Sequence, residues 1–239
     1  MEGGPVKIGW LLGWAVPERW FEAFARGAFP SASHLFERPS PGAIDRLEAR
    51  APFDWVVGYS LGTLLLIGQA PRADRLGRIA LLAPIFAFPS EEGLGGRIPR
   101  AEVRVLARGL RQDPLRAIGE FYSRAGLERV PGVRVAAPLA AGPLALGTDP
   151  WATSDEGRLS LAWGLAQLEN VRLDPILPEG WAGWCGEDDP LLDARRLHEL
   201  ARAITPLKGA THHPLALIRA FAASVGGGPG RVSAKRAPA

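Results

Sequence analysis

The feature that most constrains this chain is a pentapeptide, Gly58-Tyr59-Ser60-Leu61-Gly62, set between two apolar runs of different character. The run before it, Phe53-Asp54-Trp55-Val56-Val57, is short, aromatic and β-branched, which predicts a buried strand. The run after it, Thr63-Leu64-Leu65-Leu66-Ile67, is rich in leucine, which predicts the start of a buried helix. A strand that becomes a helix over so few residues needs a very tight turn. Side chains two positions either side of its apex would collide with neighbouring backbone, hence glycine at 58 and 62. The apex residue is strained and pushed out above the sheet, at the positive end of the following helix. A serine held there is a nucleophile in need of a base, an acid to orient the base, and donors for a developing negative charge.

A chain of 239 residues suffices for one large domain, or for a core with an inserted cap. Hydrophobic residues make up 47%, enough to bury a sizeable core and to exclude global disorder. The single cysteine, Cys185, excludes an internal disulfide and fits a reducing compartment. It falls in a predicted strand among tryptophans and reads as core rather than as a reactive thiol. The net charge of +3 is mild and carried almost entirely by arginine, so a nucleic-acid partner is not expected. Met1-Glu2-Gly3-Gly4 lacks the basic start of a signal peptide. No apolar run approaches the ~18 residues that span a bilayer. The expectation is a soluble, cytoplasmic monomer without a membrane partner.

Taken in order, Val6 to Leu12 predicts a first strand, with Gly13-Trp14 at its end. Glu18 to Arg26 predicts a helix with Trp20, Phe21 and Phe24 on its inner side. Ser33 to Phe36 is a weak strand, Ile44 to Ala49 a short helix, and Arg78 to Ala83 a strand beyond the pentapeptide and its helix. This alternation argues an α/β fold, a mostly parallel sheet with helices on both faces. After Pro89 the rhythm breaks. Ser90 to Val130 reads as helices, Pro131 to Pro150 as a loop, and Leu159 to Leu168 as a helix. Residues 90–173 therefore read as a helical lid inserted into a core made of 1–89 and 174–224. Strand character returns at Gly180–Gly186 and Ile204–Gly209, with helices at Asp193–Ala203 and Pro214–Ala223. Residues 225–239 are glycine-rich and read as a flexible tail.

The strand ends carry the remaining chemistry. Asp188 and Asp189 follow the strand ending at Gly186, and a carboxylate there faces the same rim of the sheet as Ser60. Either could orient a base, or only cap the next helix. His212 and His213 follow the last strand, and imidazole is the natural base near neutral pH. The other two histidines, His34 and His198, lie outside any such frame and read as surface or packing residues.

Together, Gly13-Trp14, Gly58-Tyr59-Ser60-Leu61-Gly62, Gly186-Glu187-Asp188-Asp189 and His212-His213-Pro214 resemble the α/β-hydrolase superfamily. More narrowly, they resemble the pimeloyl-acyl-carrier-protein methyl ester carboxylesterases of biotin synthesis, the BioH type. Two further stretches carry that narrower likeness. One is Ala83-Pro84 with Phe86 and Phe88-Pro89, leading into an arginine-bearing lid. The other is Leu161 to Leu168 followed by Val171-Arg172-Leu173-Asp174. The front half departs from the pattern. Leu12 replaces the usual histidine before Gly-Trp, the early hairpin is missing, and Glu37 to Gly42 lacks the usual glycine-rich loop. In this the chain is similar to the shorter BioG type. The resemblance implies Asp189 as the acid, His212 as the base, and His213 as a solvent-facing residue between His212 and Pro214. It implies an oxyanion hole built from the N–H groups of Leu61 and Trp14, with no metal or cofactor. The activity implied is hydrolysis of the methyl ester of pimeloyl-acyl-carrier protein. The alternatives are a broad short-chain esterase or thioesterase, and a silent fold that only binds an acyl ligand or partner.

The lid adds a physical argument of its own. Arg97, Arg100, Arg104, Arg108 and Arg111 fall within fifteen residues, with Glu102 the only acid among them. Spacings of three and four put Arg100, Arg104, Arg108 and Arg111 on one helical face. A basic stripe beside an acyl pocket suits docking of an acidic acyl-carrier protein. The plainer reading is a solvated helix face in an arginine-rich chain.

Overall fold

The fold is built on six short strands, β1 (Lys7–Leu11), β2 (Ser33–Glu37), β3 (Trp55–Tyr59), β4 (Arg78–Leu82), β5 (Ala182–Gly186) and β6 (Ile204–Leu207). The computed structural model describes residues 5–127 and 150–226. All five strand pairings are parallel, in the order β2-β1-β3-β4-β5-β6. The chain first steps outward from β1 to β2, then returns to lay β3 on the other side of β1. That reversal opens a crevice at the carboxyl ends of β1 and β3, the place where ligands bind in such sheets. β3 is buried along its whole length, as its unbroken apolar sequence requires, whereas the edge strand β2 is only partly buried.

The helices are α1 (Glu18–Ala28), α2 (Ala43–Glu48), α3 (Leu61–Gly68), α4 (Ala70–Ala73), α5 (Arg100–Gln112), α6 (Pro114–Arg124), α7 (Pro150–Thr153), α8 (Asp155–Asn170), α9 (Ala194–Leu200) and α10 (Pro214–Gly226). Helix α1 buries Trp20, Phe21, Phe24 and Ala25, the stripe that its spacing predicts, and packs against α10. Trp10 of β1 knots this side of the core. Its ring meets Phe21 at 5.5 Å and Phe221 at 6.1 Å, and its indole N–H donates to His34 Nδ1 at 2.9 Å. His34 is thus a packing residue, as expected. Burial of this kind at a single tryptophan is worth about 3–5 kcal/mol against alanine.

Helices α5 to α8 form the inserted region between β4 and β5. Within it the expected helix from Ser90 is replaced by a single 3-10 turn, Ser90–Glu92, and an irregular stretch. Gly93 and Gly95 take positive φ there, and Gly96 forms an antiparallel bridge to Leu192. The segment is tied back to the core before α5 begins. Asp113 separates α5 from α6, and its side chain caps α6 through the Arg116 N–H at 3.1 Å. The loop expected over Pro131 to Pro150 and the tail expected over 225–239 lie almost wholly outside the described residues. Helix α10 runs to Gly226, three residues beyond the expected end, and buries Phe221 against Trp10, Trp55 and Trp184.

No described helix is long and apolar enough to cross a membrane.

Candidate active site

Strand β3 ends at Tyr59 and helix α3 begins at Leu61, so Ser60 alone makes the turn. Its φ of 52° and ψ of −117° lie where a residue with a side chain is strained. Four hydrogen bonds hold that strain. The Ser60 N–H donates to the Leu82 carbonyl at 2.9 Å, and the Ser60 carbonyl accepts from Thr63 N–H at 2.8 Å and from the Thr63 hydroxyl at 2.7 Å. The same hydroxyl accepts from Ile85 N–H at 2.9 Å, which ties the elbow to the end of β4. The glycines are explained by space. A Cβ on Gly62 would lie 2.1 Å from the Leu11 carbonyl oxygen, and one on Gly58 would lie 3.0 Å from Thr63 backbone atoms.

His212 stands between β6 and α10, and its Nε2 lies 3.1 Å from Ser60 Oγ. On its other side Nδ1 lies 2.7 Å from Asp189 Oδ2. With Nδ1–H donating to the carboxylate, the Nε2 lone pair is directed at the serine hydroxyl. Asp189 is fully buried, and its second oxygen accepts from the N–H groups of Leu191 at 2.8 Å and Leu192 at 3.1 Å. The carboxylate therefore has a partner for each oxygen. Asp188 is exposed, with only its backbone N–H engaged, to Ala210 at 2.9 Å. Of the two acids, Asp189 is the one that reaches the imidazole.

His213 departs from expectation. Instead of facing solvent it is 3% exposed, packed edge-on against Trp20 and Phe24 with ring centroids 5.1 Å away in each case. Burial, and then His212 beside it, push its imidazole down to about 4. The inner face of α1, which turns two large aromatics toward the start of α10, is the reason. That long-range packing leaves no trace in the local sequence. Cys185 is buried, and burial pushes its thiol well above the ordinary range, so it is no nucleophile.

The loop after β1 walls the other side of the serine. A Cβ on Gly13 would lie 3.1 Å from Ser60 Cβ, so the Gly13-Trp14 backbone runs directly past the nucleophile. A niche of about 10 Å³, room for one water-sized group, is bounded by Gly13, Trp14 and Leu61 among others. Leu61 opens α3, so its N–H is among the four at the helix start that lack an intrahelical acceptor. The Trp14 side chain ties this loop to the lid. Its indole N–H donates to the Leu161 carbonyl at 2.8 Å and its ring meets Phe121 at 4.8 Å. Ser160 Oγ donates to the Pro39 carbonyl at 2.6 Å, and Tyr122 OH to the Ala15 carbonyl. Under the lid lies a mainly apolar cavity of about 160 Å³, lined by Phe88, Val103, Leu106, Phe121, Leu165 and Leu191 among others. The lid leaves Ser60 only 5% exposed.

The arginine stripe on α5 is partly neutralised within the chain. Arg100 pairs with Glu92 and also donates to the Glu169 carbonyl, and Arg104 pairs with Glu169 at 2.6 Å. Arg108 and Arg111 are exposed. Arg97 instead donates to the Asp189 carbonyl at 3.1 Å and so braces the acid loop. Sequence reasoning missed Thr63, Arg97 and Tyr59, whose hydroxyl donates to the His212 carbonyl at 2.7 Å. Tyr59 stood out only as part of the pentapeptide, and Arg97 only as one of the lid arginines. Among the described residues, no group of three or more His, Cys, Asp or Glu is placed to hold a metal ion.

Fold and site together define a chain of the α/β-hydrolase fold whose Ser60–His212–Asp189 network has the geometry of a serine-hydrolase triad. No protein-family model matches the chain, and no curated protein matches it in sequence. Solved structures do. The chain is similar to an esterase, EaEST, from Exiguobacterium antarcticum, with a TM-score of 0.68 at 13% identity over 94% of this chain and 92% of that one. It is also similar to an enol-lactonase from Burkholderia xenovorans, with a TM-score of 0.63 at 16% identity over 94% and 91%. BioG from Haemophilus influenzae matches with a TM-score of 0.51 at 18% identity over 90% and 95%. Likeness at these identities is likeness of fold.

Proposed function

We propose that this protein is a serine carboxylesterase. One observation carries the reading: Ser60 Oγ, His212 and Asp189 Oδ2 stand in an unbroken line at 3.1 and 2.7 Å, on a strained elbow. Ser60 Oγ attacks the ester carbonyl carbon as its proton passes to His212 Nε2, and Asp189 stabilises the imidazolium that forms. The carbonyl oxygen, now negative, turns toward the N–H groups of Leu61 and Trp14. The alcohol leaves with the proton from His212. Water, activated by the same imidazole, then releases the acid and restores the hydroxyl. No step calls for a metal or cofactor.

The finer reading is a methyl ester of pimeloyl-acyl-carrier protein as substrate, with the carrier docked on α5. Its support is the motif resemblance, the fold shared with BioG, and the exposed cations Arg108 and Arg111. Arg100 and Arg104 are less available for that role, since Glu92 and Glu169 already occupy them. The test compares carrier-bound and free methyl pimelate esters, with Ser60→Ala as the blank. Ester hydrolysis that persists in Ser60→Ala would end the esterase reading. Arg108→Glu with Arg111→Glu is expected to lower kcat/KM for the carrier-bound ester about tenfold and to spare the free one. Equal effects on both substrates would remove the carrier from the account.

A further inference from the structure

His213 is a buried titratable group for which the proposed chemistry has no use, and its surroundings are specific. It immediately precedes α10, where the Leu215 N–H is among the first four of the helix and has no intrahelical carbonyl to meet. His213 Nδ1 accepts that N–H at 3.2 Å, as a capping side chain does. Its own backbone N–H donates to Thr211 Oγ1 at 3.2 Å, and the carbonyl of its neighbour His212 accepts from Tyr59 OH at 2.7 Å. The peptide that carries the base is thus held from both sides, and the His213 ring is one of the clamps.

We propose that His213 is a positioning residue for the base. Its neutral ring locks the turn from Thr211 to Leu215 and so aims His212 at Ser60, and a proton taken up by that ring at acid pH releases the turn. The proposal rests on reading His212 as the base. The geometry admits only one form of the ring. An Nδ1 that accepts a hydrogen bond leaves the proton on Nε2, and Nε2 is buried without a hydrogen-bond partner. A second proton would turn Nδ1 into a donor facing the Leu215 donor, and Nε2–H would still find no acceptor. The elements around the ring offer no compensating charge. Helix α1 meets it with Trp20 and Phe24, and α10 with the Leu215 N–H. The titratable group that acts on it is His212, which turns positive during the reaction and opposes a second charge beside it.

Two variants separate positioning from mere packing. His213→Asn keeps an acceptor for Leu215 N–H but cannot take a proton, and His213→Phe fills the space without an acceptor. In His213→Phe, kcat for a soluble methyl ester at neutral pH should fall at least about tenfold with little change in KM. His213→Asn should recover most of that loss. Below about pH 4, where the His213 ring takes up its proton, log kcat/KM of the wild type should fall more steeply than one unit per pH unit, and that of His213→Asn by one. Full activity in His213→Phe, no recovery in His213→Asn, or identical acid limbs in wild type and His213→Asn would overturn the proposal. If His213→Phe does not fold, the two acid limbs decide. Ring nitrogen NMR in Ser60→Ala gives a readout without turnover. A neutral Nε2–H ring down to about pH 5 is expected, and a His213 that titrates near its ordinary 6.5 would refute the proposal. A wild-type protein that hydrolyses no ester would refute the esterase reading alone, leaving the NMR result to judge His213.

Discussion

The sharpest test of the elbow is Gly62→Ala. A methyl group there would sit 2.1 Å from the Leu11 carbonyl oxygen, 2.7 Å from the Leu11 carbonyl carbon and 2.8 Å from the Leu12 carbonyl oxygen. Real Cβ contacts essentially never fall below 3.0 Å, so the nearest gap is about 1 Å short. The obstructing atoms are backbone at the end of β1, so no rotamer change relieves them. Overpacking of this kind costs about 1–3 kcal/mol when side chains can adjust, and a rigid obstruction puts Gly62→Ala at about 3 kcal/mol or more. Alanine regains at most about 1 kcal/mol of helix propensity, so the clash wins. The relief available is to push α3 away from β1, which moves Ser60 relative to Gly13 and His212. A displacement near 1 Å is expected to lower kcat about a hundredfold. Urea unfolding and ester turnover measure the two effects. Gly27→Ala supplies the control, because that glycine lies in α1 with nothing within 4 Å of the added carbon. It should stabilise by about 0.5–1 kcal/mol. Gly62→Ala within about 0.5 kcal/mol of wild type and fully active would refute the account of why the elbow needs glycine.

Asp189→Asn preserves the shape of the acid but no longer enforces the Nδ1–H form of His212, and kcat should fall on the order of 10⁴-fold, whereas the exposed Asp188→Asn should change it less than about twofold; equal losses would reassign the acid. For His213 the folded ring titrates at about 4 against an ordinary 6.5, so the unfolded chain takes the proton first as pH falls. Stability should therefore decline as pH drops from about 6.5 to about 4, by about 3 kcal/mol at 1.36 kcal/mol per unit, and His213→Asn should lack that component in urea titrations at pH 4.5 and pH 7.

Much of this architecture was legible in the residues. The run at 53–57, the pentapeptide and the leucines behind it predict strand, turn and helix, because the first run is aromatic and β-branched, the second is rich in leucine, and the glycines between them permit a tight turn. The structure shifts the strand to Trp55–Tyr59, since pairing with β1 and β4 sets its ends. The inserted region was less legible. Arg97 to Ile98 and the glycines before them carry no strong period, and their path is set by the bridge to Leu192, far away in sequence. The arginine spacing on α5 predicts one basic face correctly as geometry, but the charge of that face depends on Glu92 and Glu169, which the fold brings alongside.

By itself the sequence determined local matters: which runs are strands, where the chain must turn tightly, and which residue types stand at the strand ends. These follow from backbone sterics and side-chain hydrophobicity, which act over a few residues. Only the tertiary structure decided which acid faces the imidazole and that His213 is buried against α1. It also decided that Thr63, Tyr59 and Arg97 brace the site, and that Arg100 and Arg104 of the α5 stripe are already paired. Each of those depends on segments tens to more than a hundred residues apart meeting in a water-poor interior. There, every polar group must find its partner among whatever the fold has brought within reach.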